Sequence, residues 1–128
     1  MKYNYTFLLI EDNTIDQFVT KRLLEKMPGV ETIHVVNNGK EGLDWISTTT
    51  LKPDSSLIIL LDINMPIMNG FQFLDAYGNL PKTLKNKTQL FMLSSTMNIG
   101  DIEKIKDNTY VRALLCKPLS IQKLEQFL

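Results

Sequence analysis

Short apolar runs recur along the chain, and longer segments that mix apolar and polar residues separate them. Each run has about the length of a strand whose two faces are both buried, and no fixed repeat interrupts the alternation. The runs are residues 5–10, 32–36, 57–61, 90–93 and 113–116. The pattern predicts five strands.

The segment after the first predicted strand has the clearest helical pattern. Its apolar residues follow helical spacing and are Ile15, Phe18, Val19, Leu23 and Met27. Asn13 or Thr14 can serve as the N-cap, because short polar side chains accept a hydrogen bond from the first turn. Pro28 and Gly29 mark the end of this helix, since neither residue continues a helix well.

Four further helices are predicted, at residues 39–47, 69–77 and 99–106 and after Ser120. The apolar side chains expected to face inward are Leu43 and Ile46, then Phe71 and Leu74, and finally Ile121, Leu124 and Leu128. We expect the chain to end within the last of these helices. Residues 79–88 contain Pro81 and three lysines without apolar periodicity, which predicts a loop.

The alternation of strands and helices predicts the fold class. Strands that alternate with helices favour right-handed crossovers, a parallel sheet and helices on both of its faces. We therefore expect a doubly wound α/β fold with a five-stranded parallel sheet. Ligands in such sheets bind beyond the carboxyl ends of the strands, so the residues that follow each apolar run are the candidates for function.

Composition and charge narrow the function classes. The 128 residues, 44% hydrophobic and 22% charged, suit one globular domain, which we expect to span residues 1–128. The 14 basic residues balance 14 acidic ones, so the chain lacks the positive charge of a direct nucleic-acid binder or a polybasic membrane anchor. The longest wholly apolar stretch, residues 57–61, is too short to span a membrane. We expect a cytoplasmic protein with neither partner.

Polar and charged side chains follow the predicted strands. They are Glu11 and Asp12 after the first strand, Asp62 after the third, Ser94, Ser95 and Thr96 after the fourth, and Lys117 after the fifth. Carboxylate oxygens are ligands that Mg²⁺ prefers, whereas one cysteine and one histidine cannot form a zinc site. An aspartate can accept a phosphoryl group as a nucleophile, and that transfer needs Mg²⁺ and fixed positive charge. Asp62, Lys117 and Ser94 suit these roles.

The sequence around Asp62 resembles a known family of signalling domains. Residues 60–70, LLDINMPIMNG, strongly resemble the phosphoacceptor segment of response-regulator receiver domains. The resemblance extends over nearly the whole chain, with matching order and spacing. Its other segments are residues 8–13, 35–39, 93–95 and 116–118.

This resemblance implies a flavodoxin-like sheet of order 2-1-3-4-5 in which Asp62 takes a phosphoryl group from a phosphohistidine. The phosphodonor would be a sensor histidine kinase or a histidine phosphotransfer protein. The implied Mg²⁺ ligands are Glu11, Asp12, Asp62 and the backbone carbonyl of Asn64. The implied signalling surface, which would contact a downstream protein, comprises residues 99–128.

Two more site residues are implied by the resemblance, and two positions depart from it. Lys117 and the hydroxyl of Ser94 would contact the phosphoryl oxygens, and the peptide between Lys117 and Pro118 would be cis. Leu114 stands where many receivers have a switching aromatic residue, so aromatic coupling is not expected at that position. Thr96 replaces an acid or amide that positions water in some relatives, so we expect slow self-dephosphorylation.

Two other functions are alternatives to the phosphoacceptor. A binding-only pseudo-receiver is the main alternative, although such domains usually lose an acid, the hydroxyl or the lysine. A haloacid-dehalogenase-type phosphohydrolase needs an Asp two residues after its nucleophile, and here that position is Asn64. We therefore expect a signalling domain rather than an enzyme with an external substrate. It would bind a partner, relay its phosphoryl group to a histidine, or be part of a longer chain.

Overall fold

The protein forms a five-stranded parallel sheet with helices on both faces. The computed structural model describes residues 4–96 and 98–128. The strands are β1 (Asn4–Ile10), β2 (Val30–Val36), β3 (Ser55–Asp62), β4 (Thr88–Ser94) and β5 (Val111–Cys116). They pair in the order β2-β1-β3-β4-β5, and every pair is parallel. The predicted flavodoxin-like fold and its strand order are confirmed.

Helices follow the strands in the predicted alternation. They are α1 (Thr14–Glu25), α2 (Gly39–Thr48), α3 (Gly70–Tyr77), α4 (Lys82–Lys85), α5 (Ile99–Lys106) and α6 (Ile121–Glu125). Asn13 is the N-cap of α1, and its side chain accepts a hydrogen bond from the backbone N–H of Asp16. Ser120 caps α6 in the same way, through the backbone N–H of Lys123.

Two details of the sequence prediction are wrong. Residues 79–88 are not entirely a loop, because α4 forms one helical turn directly after Pro81. A proline can precede a helix without losing a bond, and one turn is too short to show apolar periodicity. The last helix, α6, ends at Glu125 rather than continuing to Leu128, and the backbone N–H of Gln126 caps it.

The core consists of two apolar layers, one on each face of the sheet. Alternate side chains of each strand point to opposite faces, so Leu8 and Ile10 belong to one layer while Phe7 and Leu9 belong to the other. The layer around Leu8 packs against buried side chains of α2, α3 and α5, which include Ile46, Phe73 and Ile105. The layer around Phe7 packs against α1 and α6 through Leu24 and Leu124.

The apolar residues of α1 divide between the core and the surface. Leu24 is buried, as is Met27 just after the helix, whereas Ile15 is 71% and Phe18 66% exposed. The helical spacing in the sequence is correct, but the residues of its first half do not pack on the sheet. The first half of α1 therefore presents apolar side chains to solvent.

The carboxyl ends of the strands meet at one edge of the sheet. Ile10 pairs with Leu61, and Asp62, the last residue of β3, pairs with Leu93. The turn after β3 is held close to the sheet by Gly70, whose backbone N–H donates to the carbonyl of Ile63 at 2.9 Å. A Cβ atom on Gly70 would lie 2.8 Å from the Asp62 carbonyl oxygen, so only glycine allows this approach. Asp62 thus lies at the centre of the edge.

Within the part of the chain that the structure describes, the helices lack the length and apolar character that a membrane span requires.

Ile67, in the loop between β3 and α3, has a strained backbone. Its φ is 66°, a conformation that disfavours a β-branched residue, and the N–H of Met68 donates to the carbonyl of Pro66 at 2.6 Å across it. The Ile67 side chain is 77% exposed, so packing does not compensate for this strain.

We expect Ile67→Gly to raise the free energy of unfolding by about 1 kcal/mol, because glycine adopts this conformation without steric cost. Urea unfolding of the wild type, Ile67→Gly and Ile67→Val measures the effect. Ile67→Val keeps the β-branch and should change the stability little. Equal stability of all three proteins would show that Ile67 is not strained in solution.

Candidate functional site

Two carboxylates follow β1 at the carboxyl edge of the sheet. Glu11 is fully buried, and its Oε2 accepts a hydrogen bond from the backbone N–H of Asn13 at 3.2 Å. The amide of Gln17 donates to the Glu11 backbone carbonyl, which ties α1 to this turn. Asp12, the next residue, is exposed to solvent. One carboxylate is therefore fixed inside the site and the other lies at its mouth.

Asp62 joins these two carboxylates from the neighbouring strand. It is only 7% exposed, and one oxygen of each of Glu11, Asp12 and Asp62 lies within 4.8 Å of the others. The structure thus brings together the three carboxylates that the sequence placed at the strand ends. Among described residues they form a group suited to bind a metal ion.

Lys117 brings positive charge to this acidic site. Its Nζ forms an ion pair with Glu11 and lies 3.2 Å from Asp62 Oδ1 and 3.1 Å from Asp16 Oδ2. The backbone N–H of Lys117 donates to the Ser94 carbonyl at 2.9 Å, so β4 positions the lysine. The peptide between Lys117 and Pro118 is cis, as the sequence resemblance implied.

The raised pKa values of Glu11 and Asp62 indicate that the positive charge near these carboxylates does not offset the effect of their burial. Burial raises the pKa of Glu11 to about 6, against the opposing hydrogen bond with Lys117. Burial also raises the pKa of Asp62, although the Lys117 charge opposes the shift. For Lys117 itself, burial lowers the pKa, but the hydrogen bond with Glu11 and the charge of Asp62 outweigh burial and raise it. One ammonium group does not fully compensate these buried carboxylates.

The donor set fits a magnesium ion. Mg²⁺ binds oxygen ligands at about 2.0–2.1 Å, so two ligand oxygens of one ion lie at most about 4.2 Å apart. The carboxylate oxygens of Glu11, Asp12 and Asp62 lie within 4.8 Å of one another, close to this limit. Asn64 lies two residues after Asp62 in an exposed loop, and its carbonyl as a further ligand stays a prediction.

Ser94 lies at the end of β4 with its hydroxyl already engaged. The residue is 4% exposed, its Oγ accepts a hydrogen bond from the backbone N–H of Thr96 at 3.1 Å, and its hydroxyl donates to the Thr96 carbonyl. The hydroxyl would have to leave that carbonyl to donate to a phosphoryl oxygen. The predicted contact of Ser94 with a phosphoryl group therefore requires a local change at residues 94–96.

Position 114, where many receivers have a switching aromatic residue, carries a leucine whose side chain packs against the core. Leu114, in β5, packs against the core layer that contains Leu8. Tyr110 precedes β5 at the opposite edge of the sheet, where its ring lies 5.4 Å from that of Tyr77 and 4.9 Å from Lys85 Nζ. Tyr110 is thus placed at the wrong end of the strand to substitute for an aromatic at position 114.

The sequence interpretation missed Asp16 as a member of the site. Asp16 lies in the first turn of α1, where its carboxylate contacts Lys117. The signal was available, because the first turn of a helix that follows β1 lies at the carboxyl edge of the sheet. An acidic residue there points to the same charged site.

The family model of the response regulator receiver domain matches residues 7–128. The match includes all the carboxylates described above, together with Ser94 and Lys117. It covers almost the entire chain.

Solved structures agree with this match. The chain is similar to a response regulator receiver protein from Dyadobacter fermentans, with 34% identity, a TM-score of 0.85 and coverage of 95% of this chain and 93% of the other. It is also similar to a two-component response regulator from Cytophaga hutchinsonii, with 28% identity, a TM-score of 0.83 and coverage of 98% and 95%. Both similarities extend over the whole fold.

Curated relatives are longer than this chain. A protein-glutamate methylesterase/protein-glutamine glutaminase from Desulfotalea psychrophila is 38% identical over 78 residues, which are 61% of this chain and 20% of that protein. The nitrate/nitrite response regulator protein NarL from Escherichia coli is 33% identical over 90 residues, 70% of this chain and 38% of that protein. The chain spans well under half of either relative. It belongs to the response regulator receiver domain family.

Proposed function

We propose that this protein is a phosphoacceptor of two-component signalling, in which Asp62 receives a phosphoryl group in a Mg²⁺-dependent reaction. The donor is the phosphohistidine of a sensor histidine kinase or a histidine phosphotransfer protein. The proposal is carried by one observation, the placement of the Lys117 ammonium group 3.2 Å from Asp62 Oδ1 within a cluster of acidic side chains. The domain turns over no external substrate.

The transfer is a displacement at phosphorus. A carboxylate oxygen of Asp62 forms a bond to phosphorus while the bond between phosphorus and the histidine nitrogen breaks. The electron pair of that bond stays with the imidazole, and the product is an aspartyl phosphate. Lys117 leaves its carboxylate partners to contact a phosphoryl oxygen, and Ser94 donates a hydrogen bond to another. These donors stabilise the negative charge on the transferred group.

The acidic side chains hold the metal for this reaction. Glu11, Asp12 and Asp62, with the carbonyl of Asn64, are the proposed ligands that would hold Mg²⁺, which would supply positive charge for the transfer. Burial of Glu11 keeps its carboxylate aimed at the site, whereas exposed Asp12 allows entry from solvent.

Incubation with acetyl phosphate tests the function without a cognate kinase. We expect the intact mass to increase by one phosphoryl group in the presence of Mg²⁺ and to stay unchanged when a chelator removes the metal. A mass that never changes, even with a panel of phosphorylated histidine kinases, would favour the binding-only pseudo-receiver.

Exposed apolar side chains, together called the apolar ring, lie on the segments that follow β1, β3 and β4 at the carboxyl edge of the sheet. Ile15 and Phe18 lie on α1, Ile67 lies in the loop after β3, and Ile99, at the start of α5, is 75% exposed. A phosphohistidine must approach Asp62 to bonding distance, so its protein must cover this edge of the sheet. We assign this apolar ring to the phosphohistidine-bearing donor domain, because covering it removes apolar surface from water.

Phe18→Ala should slow transfer from a phosphorylated histidine phosphotransfer protein about tenfold, which corresponds to about 1.4 kcal/mol of lost contact. Acetyl phosphate presents no protein surface to Phe18, so its rate should not change. The matched control is Tyr110→Ala, which removes an exposed aromatic ring from the opposite edge. Equal slowing with the phosphotransfer protein and with acetyl phosphate would show that Phe18 affects the phosphorylation site itself and not docking of the donor protein.

Readout to a downstream protein is assigned to residues 99–128. Ser94 connects the site to this segment, because its carbonyl accepts the backbone N–H of Lys117 and its hydroxyl contacts Thr96 just before α5. Release of the Thr96 carbonyl by Ser94 would change the loop that leads into α5. This route does not require an aromatic side chain at position 114.

A further inference from the structure

Lys117 contacts a third carboxylate that lies outside the proposed metal ligands. Asp16 Oδ2 is 3.1 Å from Lys117 Nζ, a distance similar to the 3.2 Å from Asp62 Oδ1. The Asp16 side chain is 40% exposed, whereas that of Glu11 is 1% exposed. Its backbone is fixed in the first turn of α1, where the N–H donates to Asn13 Oδ1 at 2.9 Å.

Asp16 differs from the other two carboxylates that contact Lys117, because it is not a proposed metal ligand. Glu11 and Asp62 each offer an oxygen to the proposed metal site together with Asp12, and Asp16 is not a member of that group. When those two carboxylates bind Mg²⁺, their negative charge is shared with the metal ion. Of the described carboxylates that contact Lys117, Asp16 would then be the one whose charge is not shared with the metal ion.

We propose that Asp16 is a positioning residue that holds Lys117 toward α1 and slows phosphorylation of Asp62, an inference that rests on the proposed function. An incoming phosphoryl group must attract the ammonium group away from Asp16 before Lys117 can stabilise the transferred charge. Loss of the Asp16 charge removes this competition. In the metal-free protein it does not leave Lys117 without a partner, since Glu11 and Asp62 still contact it.

The main experiment compares phosphorylation rates with acetyl phosphate at saturating Mg²⁺. We expect Asp16→Asn to be phosphorylated about three to ten times faster than the wild type, and Asp16→Glu, which keeps the charge, to stay within about twofold of it. Glu25→Gln controls for net charge, because Glu25 is an exposed residue at the far end of α1. Equal rates for wild type and Asp16→Asn would overturn the inference.

A second comparison tests whether Asp16 acts through Lys117. In the Lys117→Met background, Asp16→Asn should no longer accelerate the slow reaction. Acceleration that persists there would mean that Asp16 simply repels the anionic donor, and this would overturn the positioning role.

The same pair of residues can be tested without metal or activity. Urea unfolding of the metal-free wild type, Asp16→Asn, Lys117→Met and the double variant forms a double-mutant cycle. We expect the two substitutions to be non-additive, and additivity would show that the ion pair is absent in solution. A wild type that takes up no phosphoryl group would overturn the proposed function together with this inference. A phosphorylated wild type with additive substitutions would overturn the inference alone.

Discussion

Asp62→Asn is expected to abolish phosphorylation by acetyl phosphate and by phosphohistidine donors. The amide has nearly the shape of the carboxylate, but its neutral oxygen is a poor nucleophile and cannot form the aspartyl phosphate. The effect should exceed about a hundredfold in rate, because the neutral amide oxygen is a poor nucleophile and also a weaker metal ligand than the carboxylate. Intact mass spectrometry over a time course measures it. Asp75→Asn, an exposed position on α3, is the matched control and should be phosphorylated like the wild type.

Thermal unfolding of Asp62→Asn shows whether this variant is folded. Burial raises the pKa of Asp62, so the fold disfavours the ionised form, and this cost is fully present at a pH above the raised pKa. We expect metal-free Asp62→Asn to melt at a higher temperature than the wild type near neutral pH, because the amide carries no charge. A lower melting temperature would argue against a strained acidic cluster. Destabilisation of the fold would then be an alternative explanation for the loss of phosphorylation.

Lys117→Met should have the second largest effect, and it should change both reaction and stability. Loss of one fixed donor to a developing charge typically slows a reaction about 10²- to 10³-fold, and we expect that range for phosphorylation by acetyl phosphate. The methionine side chain is similar in length and apolar, so the change removes the charge while it keeps most of the packing. Asp62 stays present as the nucleophile, which is why the residual rate should be measurable.

The stability effect follows from the buried partner. Glu11 is fully buried and forms an ion pair with Lys117, so removal of the ammonium group leaves a buried carboxylate without its charged partner. Such losses cost about 3 kcal/mol, and we expect this decrease in the free energy of unfolding of the metal-free protein. Lys40→Met, an exposed position on α2, is the control and should change stability by less than about 0.5 kcal/mol. A loss below about 1 kcal/mol for Lys117→Met would show that the cluster is solvated.

The grouping of polar side chains at the carboxyl edge of the sheet could be predicted from the sequence because fold topology determines where the strands end. A parallel sheet brings the ends of its strands to one edge, so Asp12, Asp62 and Lys117 needed only correct strand ends to be placed together. Distances, the burial of Glu11 and the engagement of the Ser94 hydroxyl with Thr96 depend on side-chain packing. They became visible only in the structure.

The features that sequence analysis missed have separate physical causes. Helical spacing on α1 could not show that Ile15 and Phe18 are exposed, because a docking surface and a core face produce the same periodicity. The position of Asp16 in the first turn of α1 indicates the carboxyl edge of the sheet, but its contact with Lys117, 101 positions away, is visible only in the structure. The positive φ of Ile67 contradicts the preference of its residue type and is therefore not predictable from it.

The most direct test of this account is to identify the residue that carries the phosphoryl group. The protein is phosphorylated with acetyl phosphate and Mg²⁺, the acyl phosphate is reduced with borohydride to an alcohol, and the product is analysed by peptide mass mapping. We predict modification at Asp62 in the wild type and none in a sample treated with a chelator. Modification at another carboxylate, or no modification under any condition, would contradict the assignment of Asp62 as the phosphoacceptor.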